Sequence, residues 1–218
     1  MGADQKRPTN WRDALKISSF KIALNQFLIR SWADDSLAEI LSNKVIYANC
    51  GDVCYKYSVN RGEILRAQEP RLFSTHEEAD SRMFHHVSFS ARENSNNERN
   101  PVVDDLDNEV ESFDVVVRSN DTDCLVIGLG CFKELNKVNP NLQLWMEVGT
   151  TSNNTRRYIS VNELYVTLGE QLSSALPGFH AFTGCDYLAA FSRKGKVRPF
   201  KLLETDTNAQ TAFSNLRE

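Results

Sequence analysis

"FDVVVRSNDTDCLVIGLGCFKEL", residues 113–135, is the stretch that decides the fold. Its first seven residues form a short valine-rich run, which is typical of a strand buried on both faces of a parallel sheet. The apolar residues that follow Asp121 indicate a helix packed on that strand, and a second strand is predicted over residues 142–148. Strands that alternate with helices at this spacing favour an α/β domain with a mostly parallel central sheet.

Helical and extended patterns alternate on both sides of this stretch. The apolar spacing predicts helices over residues 11–32, 33–43, 76–90 and 161–176, and Pro177-Gly178 is expected to end the last of them. Alternating apolar residues predict β-structure over 44–67, with turns at 51–52 and 60–62. Residues 91–112 are too polar to bury a core and predict a surface loop. No repeat or clear boundary interrupts the chain. We therefore expect one domain over 1–218, made of a lead-in (1–10), helices with a β-hairpin (11–70), a core (71–205) and a tail (206–218).

Composition excludes several classes of protein. A net charge of −4 over 218 residues gives no general attraction to nucleic acid or membrane, so such binding needs a local patch. The five cysteines are an odd number without framework spacing, which is typical of reduced thiols. No signal peptide, membrane-spanning run, P-loop or dinucleotide fingerprint is present. We expect an intracellular protein, nuclear rather than cytoplasmic, without a small-molecule cofactor.

Three short stretches concentrate acidic residues. In "THEEADSRMFHHV" (75–87), Thr75 and Glu78 form a capping box at the start of a predicted helix. Asp121 and Asp123 directly follow the strand over 113–119, where ligands of open parallel sheets collect. Asp186 follows the flexible Gly184 in "FTGCDYL". The first stretch taken alone favours an ordinary capped helix, and the other two are also consistent with a helix cap or an Asx turn.

Together these stretches leave five carboxylates without assigned counter-ions: Glu78, Asp80, Asp121, Asp123 and Asp186. Hard oxygen donors without clustered His or Cys favour Mg²⁺ or Mn²⁺ over zinc. Two such ions would stabilise the attacking and leaving oxygens of a phosphodiester. A zinc site at Cys50 and Cys54 is the weaker alternative, since no second Cys/His pair has the required spacing.

Basic residues cluster after the last acidic stretch. Five positive charges lie within nine residues, at Arg193, Lys194, Lys196, Arg198 and Lys201. Such a cluster predicts phosphate contacts that are independent of base sequence and sensitive to salt. A solvated basic face without a ligand is the alternative. Arg156-Arg157 is a second, weaker candidate patch.

The acidic motifs resemble those of the flap-endonuclease (XPG-like) branch of the PIN-like nucleases. The matching residues are Glu78-Ala79-Asp80, Asp121-Thr122-Asp123-Cys124-Leu125 and Gly184-Cys185-Asp186-Tyr187, in the family's order and approximate spacing. The stretches "HEEAD", "DTDCLV", "RRYI" and "HAFTGCD…FSRKGK" are similar to an uncharacterised, transposon-associated animal subgroup. The resemblance covers roughly residues 72–205.

The resemblance implies a Rossmann-like (PIN-like) three-layer nuclease that cuts branched or flapped DNA with two Mg²⁺ ions. By motif match, Glu78, Asp80, Asp121, Asp123 and Asp186 are the expected metal ligands. The alternatives are an inactive descendant that binds nucleic acid or protein, with an exposed apolar sheet edge, and an α/β binding domain whose acids are caps.

Two features depart from the family pattern. No acid that follows a buried strand precedes residue 75, so we expect the N-terminal part of the domain to be missing. The family's G-I-G loop, which grips DNA through a monovalent ion, corresponds here to "SRKGKVRP" (192–199). This segment keeps one glycine, and Pro199 is expected to interrupt the helix.

Overall fold

A computed structural model describes residues 6–75, 79–98, 112–185, 188 and 195–216. The chain forms two compact units, residues 1–77 and 78–218, a division for which the sequence shows no clear boundary. Both units combine helices with a small sheet, so the protein is a mixed α/β protein.

The first unit packs short helices on an antiparallel meander. Its elements are α1 (Trp11–Ala14), α2 (Ser18–Ser31), a 3₁₀ turn (Asp35–Leu37), α3 (Ala38–Leu41), β1 (Ile46–Cys50), β2 (Val53–Asn60), β3 (Glu63–Gln68) and a second 3₁₀ turn (Pro70–Leu72). The predicted turns at residues 51–52 and 60–62 are confirmed, and Gly51 and Gly62 both adopt positive φ. The long helix predicted over 11–32 is instead two helices.

Tyr57 is the centre of this unit's core. Its ring is almost fully buried among Ala38, Leu41 and Ile64, and its hydroxyl donates a 2.6 Å hydrogen bond to the Ile29 carbonyl oxygen. This bond satisfies a buried polar group and joins the end of α2 to the middle of β2.

The second unit contains a three-stranded mixed sheet. Its elements are α4 (Ala79–Glu98), β4 (Phe113–Arg118), α5 (Thr122–Val138), β5 (Leu142–Val148), β6 (Arg157–Ser160), α6 (Val161–Leu168), α7 (Glu170–Thr183), α8 (Val197–Leu203) and α9 (Thr207–Asn215). Strand β4 pairs parallel with β5, and β6 pairs antiparallel with the other edge of β5. In this sheet one of the two pairings is parallel, so the expected mostly parallel sheet is not seen in the described residues.

The predicted strand over 113–119 exists, but the prediction that both of its faces are buried is wrong. Val117 is buried in the core, whereas alternate residues on the other face are exposed, and Val116 is 50% exposed. On that exposed face, the carboxylate of Asp114 accepts a 2.9 Å hydrogen bond from the indole of Trp145. A parallel strand is buried on both faces only where other elements cover both faces, and Val116 lies outside the apolar cluster that covers Val117.

Helix α4 extends further than its apolar pattern predicts. Residues 91–98 are helical, so the surface loop predicted over 91–112 is wrong for its first eight residues, and residues 99–111 lie outside the described residues. Ala91 is fully buried, and the Asn139 amide donates to the Ala91 carbonyl oxygen and to Oδ1 of Asn94. These contacts hold a polar segment in the helical conformation.

The helix predicted over 161–176 is broken at Gly169 rather than at Pro177-Gly178. Gly169 has φ +79°, a conformation that L side chains rarely adopt, and it separates α6 from α7. Pro177 lies inside α7, where its ring packs on Gly130 of α5; a Cβ at Gly130 would lie 2.4 Å from the proline Cγ. The missing side chain therefore lets the two helices approach closely.

Candidate metal centre

Asp121 and Asp123 lie at the beginning of α5, just beyond the end of β4. Asp121 is the N-cap of the helix, and its Oδ1 accepts a 3.0 Å hydrogen bond from the backbone N–H of Asp123. The backbone N–H of Asp121 in turn donates to the hydroxyl of Ser119 at 3.1 Å. The capping role that the sequence left open for Asp121 is therefore present, and it engages one carboxylate oxygen.

Asp80 joins these residues from a different helix. It lies in the first turn of α4, and its Oδ1 accepts a 3.2 Å hydrogen bond from the thiol of Cys124 in the first turn of α5. Cys124 is fully buried, and burial raises the pKa of its thiol to about 11, with further upward contributions from the nearby charges of Asp80 and Asp121. One buried thiol therefore has two of the predicted ligands close by.

Asp123 has a partner on α7. Its Oδ1 lies 2.7 Å from Nε2 of His180, and Nδ1 of the same imidazole lies 3.2 Å from Nζ of Lys196. Three side chains from distant parts of the chain therefore form one hydrogen-bonded series. His180 was not among the residues predicted for the site, so this partner of Asp123 was missed.

The three described acids share one arrangement. Asp80, Asp121 and Asp123 each use Oδ1 in the bonds above, and within the described ranges Oδ2 of each has no hydrogen-bond donor. No described lysine or arginine forms an ion pair with them. His180 is the one basic side chain bonded to these acids in the described part of the chain, and it engages only Oδ1 of Asp123. Carboxylate oxygens are the donors that Mg²⁺ and Mn²⁺ prefer, so the chemistry of this donor set fits such ions.

The geometry of the full predicted cluster extends beyond the described residues. Among those residues, no group of three or more His, Cys, Asp or Glu side chains has the arrangement of a metal site. Glu78 and Asp186 lie outside the described residues. Gly184, just before the last acid, has φ +105° and ends α7, as expected for the turn in this motif. The five-carboxylate cluster remains a prediction.

The predicted basic cluster falls partly within α8. Arg198 and Lys201 are exposed on this helix, Lys196 is half-buried against His180, and Arg193 and Lys194 lie outside the described residues. The expectation that Pro199 interrupts the helix is wrong. It lies in the first turn of α8, where a backbone N–H has no partner within the helix.

A cavity of about 470 Å³ lies among α5, α7 and α8. Apolar side chains form most of its wall, and polar or charged groups lie among them; the lining residues are Val126, Leu176, Phe179, His180, Lys196, Val197, Phe200, Lys201 and Glu204. The cavity therefore adjoins the face of His180 that bonds to Lys196.

The weaker basic pair has one member with a structural partner. The Arg156 guanidinium lies 3.0 Å from Oε1 of Glu147, and Arg118 approaches the same oxygen at 3.4 Å. The side chain of Glu147 is only 8% exposed; Oε1 has no hydrogen bond, whereas Oε2 accepts hydrogen bonds from Arg156 at 3.1 Å and from the Tyr158 hydroxyl at 3.4 Å. Arg156 therefore compensates a buried charge at the end of β5, which leaves the neighbouring exposed Arg157 as the more available cation.

Comparison with known proteins gave no relative. No protein-family model, no curated protein and no solved structure matches this chain. Within the described ranges, no helix has both the length and the apolarity needed to cross a bilayer.

Proposed function

We propose that this protein is a divalent-metal-dependent, structure-specific DNA nuclease domain that hydrolyses phosphodiester bonds. The observation that carries the proposal is the hydrogen bond from Cys124 to Asp80, which brings an acid of α4 to the beginning of α5, where Asp121 and Asp123 lie. The described acids do not form a metal site by themselves, so the proposal also requires Glu78 and Asp186.

The proposed fold is a Rossmann-like (PIN-like) three-layer domain. The parallel pairing of β4 with β5, through the intervening helix α5, supports it. So does the position of the acids at the carboxyl end of β4, the edge of an open α/β sheet where ligands bind. Branched or flapped DNA is the proposed substrate, and the nucleus is the proposed location.

Asp80, Asp121, Asp123, Glu78 and Asp186 are the residues proposed to hold the ions. When bound, two Mg²⁺ or Mn²⁺ ions would supply charge stabilisation to both oxygens of a displacement at phosphorus. The chain's own contribution is to orient the carboxylates: Cys124 holds one oxygen of Asp80, and His180 holds one oxygen of Asp123. Arg198 and Lys201 are proposed to contact the phosphates of the substrate.

The test is Mg²⁺-dependent cleavage of a flapped duplex by the wild type and by Asp123→Asn. We expect the variant to lose cleavage because it lacks one ligand charge. The matched control is Asp114→Asn, which removes an exposed carboxylate at the other end of β4 but keeps an acceptor for Trp145. Cleavage that survives Asp123→Asn at the wild-type rate would contradict the proposal.

An inactive nucleic-acid- or protein-binding descendant is the second candidate. It is favoured by the position of β4 at an edge of the described sheet and by the exposure of Val116 on that strand, since an exposed apolar sheet edge was expected of such a descendant. Wild-type protein that binds flapped DNA in the presence of Mg²⁺ but does not cleave it would support this candidate over the nuclease.

A further inference from the structure

His180 is the middle member of a series that links α7, the beginning of α5 and the segment before α8. Its Nε2 lies 2.7 Å from Oδ1 of Asp123, and its Nδ1 lies 3.2 Å from Nζ of Lys196. The side chains of His180 and Asp123 are 18% and 25% exposed. Both ring nitrogens are thus engaged at hydrogen-bonding distance in a partly water-shielded place.

The chemistry of the two partners defines the tautomer of the imidazole. A lysine ammonium has three N–H donors and no acceptor, so Nδ1 must accept its hydrogen bond. The remaining ring proton then resides on Nε2, which donates to the Asp123 carboxylate. The other tautomer would place two donors against each other at Nδ1 and leave Asp123 facing a lone pair.

We propose that His180 and Lys196 form a positioning pair for Asp123, in which Lys196 selects the Nε2–H tautomer and His180 then holds one oxygen of the carboxylate. This inference rests on the proposed function, because it assigns Asp123 as a cation ligand. His180 itself does not touch the cation. It holds Oδ1 of Asp123 and leaves Oδ2 without a hydrogen-bond donor among the described residues.

The neighbouring residues support an orienting role. The cavity beside His180 is lined by Val126, Leu176 and Phe179, whose side chains offer no hydrogen bond that would compete with Asp123 or Lys196 for the ring nitrogens. Lys201 and Glu204 are the other charged groups among the residues that line this cavity, and no hydrogen bond joins either side chain to His180. Outer residues of this kind typically change metal affinity by about 10- to 100-fold when they are removed.

The first experiment measures the tautomer of His180 by ¹⁵N NMR of the metal-free full chain, with the signal assigned by its loss in His180→Ala. We expect the wild type to show the Nε2–H form. Lys196→Met keeps an apolar stem but removes the donor to Nδ1, so the share of the Nδ1–H form should rise above that of the wild type, with Asp123 still favouring Nε2–H. Lys201→Met is the matched control, since it removes a lysine charge from the same cavity without a bond to His180. Its spectrum should match the wild type.

The second experiment measures Mn²⁺ affinity by calorimetry. His180→Ala should weaken binding by about 10- to 100-fold, whereas His180→Gln, whose amide can still donate to Asp123, should retain most of the affinity. Lys196→Met should bind Mn²⁺ more weakly than Lys201→Met, a comparison that corrects for the loss of one positive charge.

Two results would overturn the positioning role alone: an Nδ1–H tautomer in the wild type, or wild-type Mn²⁺ affinity in His180→Ala. A wild type that binds no Mn²⁺ would instead reject the proposed function, and with it the assignment of Asp123. The two failures are therefore distinguishable. Failure of the positioning role is seen in the tautomer of the metal-free protein or in a His180→Ala variant that binds Mn²⁺ as the wild type does. Failure of the proposed function is seen as a wild type that binds no Mn²⁺.

Discussion

The thiol of Cys124 donates a hydrogen bond to Oδ1 of Asp80 across 3.2 Å, and so connects the first turns of α5 and α4. The two residues are 44 positions apart in the chain. This contact places the acid of one sequence motif beside the acids of another. It also makes Cys124 a residue of the candidate site, although a buried thiol would ordinarily be assigned to the core.

The buried thiols predict a loss of stability at alkaline pH. Burial raises the pKa values of Cys54 and Cys124 from 9.0 to about 11. The unfolded thiols therefore release protons between pH 9 and 11 while the folded ones keep theirs, so the free energy of unfolding falls as pH rises through this window. Urea denaturation at a series of pH values measures this slope. A flat profile would contradict the raised pKa values.

The same burial predicts an order of chemical modification. In the native protein, Cys54 and Cys124 should be alkylated more slowly than the half-buried Cys50, because the thiolate is the reactive form and both thiols are enclosed. Mass spectrometry after limited reaction with iodoacetamide measures this order, and denatured protein provides the control in which all three react.

Asp121 can be tested for its two roles separately. Asp121→Ala removes the N-cap of α5 and should lower stability by about 1 kcal/mol. Asp121→Asn keeps a capping oxygen for the Asp123 N–H, so its stability should be close to that of the wild type. If Asp121 also holds a cation, both variants lose Mn²⁺ affinity. If Asp121 is only a cap, the Asp121→Asn variant keeps the Mn²⁺ affinity of the wild type.

Arg156 and Arg157 form a matched pair of neighbouring arginines. Arg156→Met should lower the urea midpoint, because it removes a close positive charge from the buried carboxylate of Glu147. Arg157→Met should leave the midpoint unchanged, since the Arg157 side chain is exposed and forms no hydrogen bond or ion pair with the other described side chains. Equal midpoints for the two variants would show that Arg118 alone suffices to compensate Glu147.

The exposed cations of α8 predict the salt dependence of DNA binding. Arg198→Met and Lys201→Met should each reduce the slope of log affinity against log salt by about one, because each removes one proposed phosphate contact. Lys196→Met should reduce it less, since the Lys196 ammonium is bonded to His180. Lys137→Met, which alters a surface lysine paired with Glu134, is the control. Unchanged slopes for both exposed residues would favour a solvated basic face.

Local patterns predicted the elements whose conformation depends on near neighbours. Valine content predicted the strand over Phe113–Arg118, and a capping carboxylate predicted the helix after Asp121. Glycine predicted the turns at Gly51 and Gly62, where the backbone adopts positive φ. The same patterns failed where distant residues decide the outcome. The polar end of α4 is helical because Asn139 bonds to it, and α7 continues through Pro177 because Gly130 makes room for the ring.

The chemistry of the candidate site follows from the sequence alone, because the types of Asp80, Asp121 and Asp123 and their place at helix beginnings are local properties. The hydrogen-bond partners of these acids do not follow from the sequence alone. His180 lies 57 positions from Asp123, and Lys196 lies a further 16 positions along the chain, so only the packing of α7 against α5 could bring them together. The exposure of Val116 was likewise decided by the tertiary structure, since distant elements cover the face of a strand, and Val116 lies outside the apolar cluster into which Val117 packs.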